Sequence, residues 1–72
     1  MEKRYDREFK KLGKKIRSLR AELGMSQLDL ELASGINRTE ISRIENGQKN
    51  LELITLVKLA IGLEKEMIDL FN

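Results

Sequence analysis

Two guanidiniums and two hydroxyls fall within six residues of each other, at Arg38, Thr39, Ser42 and Arg43. Those types at those spacings share one side of a short helix. They suit hydrogen bonding to base edges, where the arginine fork meets guanine O6 and N7 together, and to phosphate oxygens. Ile36, Ile41 and Ile44 alternate with them and can anchor the opposite side. The local chemistry over-specifies the start of this helix. Asn37 is a natural N-cap, Glu40 three residues on completes a capping box, and Ile36 with Ile41 fills the two staple positions. Gly35 and Gly47 punctuate the two ends.

The rest of the chain must hold that helix. Seventy-two residues allow one domain, near the lower limit for independent folding. The chain has no Cys and no His, which excludes disulfides and the usual zinc patterns; no metal and no cofactor are expected. With no Pro and five Gly, the composition favours helices over sheet. No apolar run is long enough for a bilayer, so a soluble, cytoplasmic protein without membrane contact is expected. The net charge of +2 is unevenly spread. Residues 1–20 hold nine basic and three acidic side chains, and residues 21–72 hold five and nine. That asymmetry is compatible with a polyanion met by the N-terminal half, or simply with a solvated helix face.

Apolar periodicity predicts five helices. Residues 1–5 are expected to be frayed, with Asp6 capping a helix over 6–23. Tyr5, Phe9, Leu12, Ile16, Leu19 and Leu23 form its stripe, and Gly13 within it costs about 1 kcal/mol relative to Ala unless another helix approaches there. The second helix is expected over 27–34 with Ser26 as N-cap, and the third over 38–46. The fourth, over 52–61, is apolar almost all round; a short fifth, over 66–71, returns Met67, Leu70 and Phe71 to the core.

That ordered set resembles the Cro/cI-type helix-turn-helix domain, also called the XRE family. The resemblance is carried by Leu12-Gly13-Lys14-Lys15-Ile16-Arg17, Leu23-Gly24-Met25-Ser26-Gln27, Gly35-Ile36-Asn37-Arg38-Thr39, Ile41-Ser42-Arg43-Ile44-Glu45-Asn46-Gly47 and Thr55-Leu56-Val57-Lys58-Leu59-Ala60. It implies an all-α, lambda-repressor-like DNA-binding domain: a compact five-helix bundle, with the helix-turn-helix formed by helices 2 and 3. It implies double-stranded DNA as the partner, with the second helix of the motif in the major groove. Arg38, Thr39, Ser42 and Arg43 would then contact bases. Gln27, Asn37, Asn46, Gln48 and Lys49 would contact the backbone, Gln27 from the first turn of its helix. The resemblance also implies that Arg20 and Glu45 form a structural ion pair linking helix 1 to the end of helix 3.

The sequence departs from the family at several positions. Glu31 stands where the family usually has Ala, so its carboxylate must reach out or find Arg38 or Arg43, and Leu28 and Leu32 replace usual polar residues. Together these suggest a slight rotation of helix 2. Glu64 replaces a common Gly, so the turn before the last helix is expected to differ. Leu51, Ile54, Ile61 and Ile68 make an apolar set that suggests a homodimer through helices 4 and 5. The expected function is sequence-specific DNA binding by a transcriptional regulator, a repressor in the first instance. A restriction-modification controller or an autoregulating antitoxin fits the same features. The alternative is a helical protein-interaction module that does not touch DNA. An enzyme is not expected, since no nucleophile elbow or phosphate-cradling glycine loop is present, and neither is a small-molecule ligand.

Overall fold

The computed structural model describes residues 2–48 and 50–72. Four α-helices follow in order: α1 (Arg4–Glu22), α2 (Gln27–Ser34), α3 (Arg38–Glu45) and α4 (Leu53–Gly62), closed by a single 3-10 turn, Met67–Leu70. The described residues contain no strand. α1 lies against α3, α2 packs on both α3 and α4, and the closing turn reaches α4 and α1.

The fifth α-helix expected over 66–71 is therefore a four-residue 3-10 turn. Its two inward residues, Met67 and Leu70, are three apart. A 3-10 turn places such residues directly one above the other, so one turn suffices to seat them and α-helix nucleation is not needed. Leu70 is fully buried there. The first helix also starts earlier than expected. Asp6 is not its N-cap but its third residue, accepting from the Lys3 backbone N–H at 3.3 Å.

The core is a continuous cluster of Leu12, Ile16, Leu19, Leu30, Ile36, Ile41, Ile44, Leu59, Ala60, Leu63 and Leu70. Each fully buried Leu or Ile contributes about 2 kcal/mol by transfer from water. The α1 stripe supplies only its middle: Tyr5 and Leu23, at its ends, are 50% and 42% exposed. α4 is two-sided, burying Leu59 and Ala60 while leaving Leu53, Ile54 and Ile61 outside.

Local chemistry fixes the start of α2. The Ser26 hydroxyl accepts from the Asp29 N–H at 3.0 Å, and the Asp29 carboxylate accepts from the Ser26 N–H at 2.9 Å. That backbone N–H and, secondarily, the hydroxyl hold the Asp29 carboxyl below its ordinary range. Its pKa is depressed on folding, so this contribution to stability is present above the ordinary carboxylate pKa and is lost as pH falls through the depressed one. α4 ends in a Schellman closure, with Glu64 N–H on Ile61 O at 3.1 Å and Lys65 N–H on Ala60 O at 2.9 Å. Glu64 sits at φ 57°, in the left-handed region that the usual glycine would enter without strain. The turn thus keeps the glycine geometry in spite of its side chain.

Candidate nucleic-acid interface

The three-residue connection between α2 and α3, Gly35-Ile36-Asn37, is built around Ser34. Its hydroxyl donates to Leu30 O at 2.6 Å and accepts from the Ile36 N–H at 3.2 Å, while Gly35 closes α2 through a bond to Glu31 O. A buried polar side chain thus satisfies the backbone at this turn. Opposite it lies Gly62 of α4: a Cβ added there would stand 2.9 Å from Ser34 Cβ and 3.0 Å from Leu30 Cδ1. Sequence reading placed the end of α2 at Ser34 but missed this role.

α3 is capped by Asn37, whose Oδ1 accepts from the Glu40 N–H at 2.8 Å. Only half of the expected capping box forms, because the Glu40 carboxylate does not return a bond to Asn37 N–H. Asn46 ends the helix, its Nδ2 donating to Ser42 O at 2.9 Å. Gly47 then turns the chain at φ 93°, giving a second Schellman closure with Gln48 N–H on Arg43 O at 2.9 Å. Ile41 and Ile44 are buried, and the residues between them point the other way. Arg38, Thr39 and Arg43 are exposed, and Ser42 is half-buried.

The brace behind α3 is a three-way junction on Glu45. Arg20 Nε donates to Glu45 Oε2 at 2.8 Å and Arg20 Nη2 to Oε1 at 3.1 Å, a bidentate fork. Arg20 Nη1 also donates to Met25 O at 2.8 Å. Only 4% of the Glu45 side chain and 15% of Arg20 reach solvent. The hydrogen bond to Glu45 raises the arginine pKa against the opposing effect of burial, with the charge of Glu45 adding to the rise. Gln27 supplies the third arm, its Nε2 donating to Glu45 Oε1 at 3.2 Å. This contact escaped sequence analysis. The useful signal was that a bidentate pair leaves carboxylate lone pairs to fill, and Gln27 stands two residues after the carbonyl that takes Arg20 Nη1.

The expected backbone contacts are thus placed unevenly. Gln27 is half-buried at the first turn of α2 and tethered to Glu45. Asn37 and Asn46 are exposed but each uses one amide atom as a cap. Gln48 is half-buried, with its side-chain oxygen turned away from solvent. Lys49 lies outside the described residues. Glu31 is half-buried and forms no ion pair with Arg38 or Arg43. α2 buries Leu30 and Ser34 and leaves Leu28 and Leu32 47% and 77% exposed, so no rotation has carried the two leucines inward.

Comparison with known proteins agrees with this geometry. The Helix-turn-helix family model matches residues 16–70. The chain belongs to the helix-turn-helix family. Its Cro/cI-type membership accounts for the order α2, tight turn, exposed α3. An uncharacterised HTH-type transcriptional regulator of Haemophilus influenzae is 44% identical over 54 residues, 75% of this chain and 55% of that one. The chain therefore spans about half the length of that relative. The control protein C.MunI of a Mycoplasma species is 36% identical over 69 residues, 96% of this chain and 85% of that one. Among solved structures, the restriction-modification controller protein C.AhdI of Aeromonas hydrophila superposes with a TM-score of 0.83 at 38% identity, covering 88% of this chain and 96% of that one. Of the classes weighed from sequence, the family match and these relatives support the DNA-binding transcriptional regulator. No helix among the described residues is long and apolar enough to cross a membrane.

Proposed function

We propose that the chain acts in the cytoplasm as a controller-type regulator. It would bind a pseudo-palindromic operator as a homodimer, and repression is the mode that binding alone provides. The observation that carries this reading is the division of α3: Ile41 and Ile44 are sealed in the core while Arg38, Thr39 and Arg43 are exposed along its outer side. Arg38, Thr39, Ser42 and Arg43 are assigned to base edges, with Gln27, Asn37, Asn46, Gln48 and Lys49 on phosphates. The similarity to C.MunI and C.AhdI along nearly the whole chain favours the controller role over other regulators. Selection of bound sequences from a random duplex pool tests it. Two related half-sites in dyad arrangement are expected. Arg38→Ala and Arg43→Ala should each weaken binding by about 1–3 kcal/mol, roughly tenfold to a hundredfold, and relax preference at one base pair per half-site. Enrichment of no sequence, or variants that keep the full preference, would overturn the base-reading assignment.

The dimer reading rests on Ile54, Ile61 and Ile68, which are 56%, 66% and 69% exposed; Leu51, the fourth member of the set, is half-buried and packs against the core. Ile54 and Ile61 lie seven apart and share one face of α4. Covering that face with a second copy removes a cluster too apolar to leave wet, and sets two reading helices about 34 Å apart, one DNA turn. Sedimentation at high micromolar concentration should show a dimer that Ile61→Asp converts to monomer. A strictly monomeric wild type would remove the claim.

A further inference from the structure

We infer that a basic cleft between α1 and the C-terminal end of α3 is an additional phosphate-binding subsite, in which Lys14 and Arg17 hold the sugar-phosphate backbone of the duplex that α3 reads. This rests on the DNA-reading face assigned above and extends its footprint onto a helix outside the helix-turn-helix. Gly13 is the reason the cleft exists. It lies against the backbone of Ile44 and Glu45 so closely that a Cβ added there would fall 2.7 Å from Glu45 O. α1 therefore runs directly alongside the end of α3, and the residues around Gly13 in the sequence become the cleft wall. Lys10, Lys14 and Arg17 line one hollow together with Glu45 and Asn46. Asn46 also lines the adjoining hollow, with Ser42, Arg43, Gly47 and Gln48. The basic cleft and the reading edge thus share a wall.

The charges in the cleft do not cancel. The Glu45 carboxylate is engaged from inside by the Arg20 fork and by Gln27. Lys10 is engaged by Glu2 at 2.7 Å. Lys14 and Arg17 are exposed and have no carboxylate within ion-pair distance among the described residues. Their own helix offers none either: Lys10, Lys11, Arg17 and Ser18 surround Lys14 at helical spacing, and Gly13, Lys14, Arg20 and Ala21 surround Arg17. Like charges three and four apart destabilise a helix. An external polyanion lying along this edge relieves that repulsion, and a continuous phosphodiester chain matches two cations spaced along a helix beside a groove-reading face. A purely structural use exists, compensation of the negative end of the α3 dipole. It predicts a change in stability without a change in salt dependence.

The experiment is binding of the full chain to its selected duplex between 50 and 300 mM salt, read by fluorescence anisotropy. In Lys14→Gln/Arg17→Gln the slope of log K against log salt should shrink by about 1.8, since each phosphate neutralised contributes roughly 0.9. Affinity near 100 mM salt should fall on the order of tenfold to a hundredfold, with the selected sequence unchanged. Lys58→Gln/Lys65→Gln removes the same net charge from α4 and the turn after it, and should leave the slope nearly unaltered. The subsite is overturned alone if the wild type binds its operator but the Lys14/Arg17 variant keeps the full slope, or if the two double variants lower it equally. Absence of sequence-specific binding by the wild type would overturn the reading face, and the subsite with it.

Discussion

Glu45→Ala is expected to lower the unfolding free energy by about 3 kcal/mol, a large share of the total for a chain of this size. The carboxylate it removes is buried and satisfies three donor groups at once: Arg20 Nε, Arg20 Nη2 and Gln27 Nε2. Truncation leaves the guanidinium in a poorly solvated position with only Met25 O as a partner. The cost belongs at the lower end of the range for breaking buried pairs because 15% of the Arg20 side chain already reaches solvent and it can turn outward. Urea unfolding at fixed protein concentration measures it, and the melting temperature should drop by roughly 15 °C. Glu45→Gln, which keeps an acceptor for Gln27, should cost less. A double variant with Arg20→Ala should cost less than the two single losses added, since the second removal strands no charge. A loss below about 1 kcal/mol for Glu45→Ala would show that the pair is screened like a surface contact.

The junction also marks how far one-dimensional reading went. The α3 edge was legible because its signals are local: an Asn cap, isoleucines at helical spacing and glycines at both ends. All of these act within a few residues, and α3 has the extent those signals imply to within one residue. The Gln27–Glu45 contact joins residues eighteen apart and depends on the angle between α2 and α3, which Ser34 and its two hydrogen bonds set. No periodicity encodes that angle. The last element was overestimated because Met67, Leu70 and Phe71 satisfy a helical pattern on paper, while a single 3-10 turn already seats Leu70 and leaves Phe71 59% exposed. The half-formed capping box at Asn37 has the same origin. Spacing places Glu40 correctly, but Asp6, Asp29 and Asp69, with a shorter side chain, are the acids that return the bond to a cap N–H among the described residues.

Gly13→Ala should destabilise the protein by about 2 kcal/mol, although helix propensity alone predicts a gain of about 1 kcal/mol at this position. The two effects have opposite sign, so the measurement decides between them. The methyl group would press on the carbonyls of Ile44 and Glu45, backbone atoms at the end of α3 that cannot swing aside as a flexible side chain would. Relief requires α1 and α3 to separate. Separation pulls Glu45 from Arg20 and tilts the edge that carries Arg43 and Asn46. The variant should therefore lose DNA affinity even at temperatures where it remains folded, and Gly13→Val should be worse on both counts. Gly24→Ala is the control: open space surrounds that position, so its cost is the left-handed backbone alone, at φ 68°. If Gly13→Ala raised the melting temperature, the close approach of α1 to α3 would be absent in solution. The basic cleft built on it would then lose its wall.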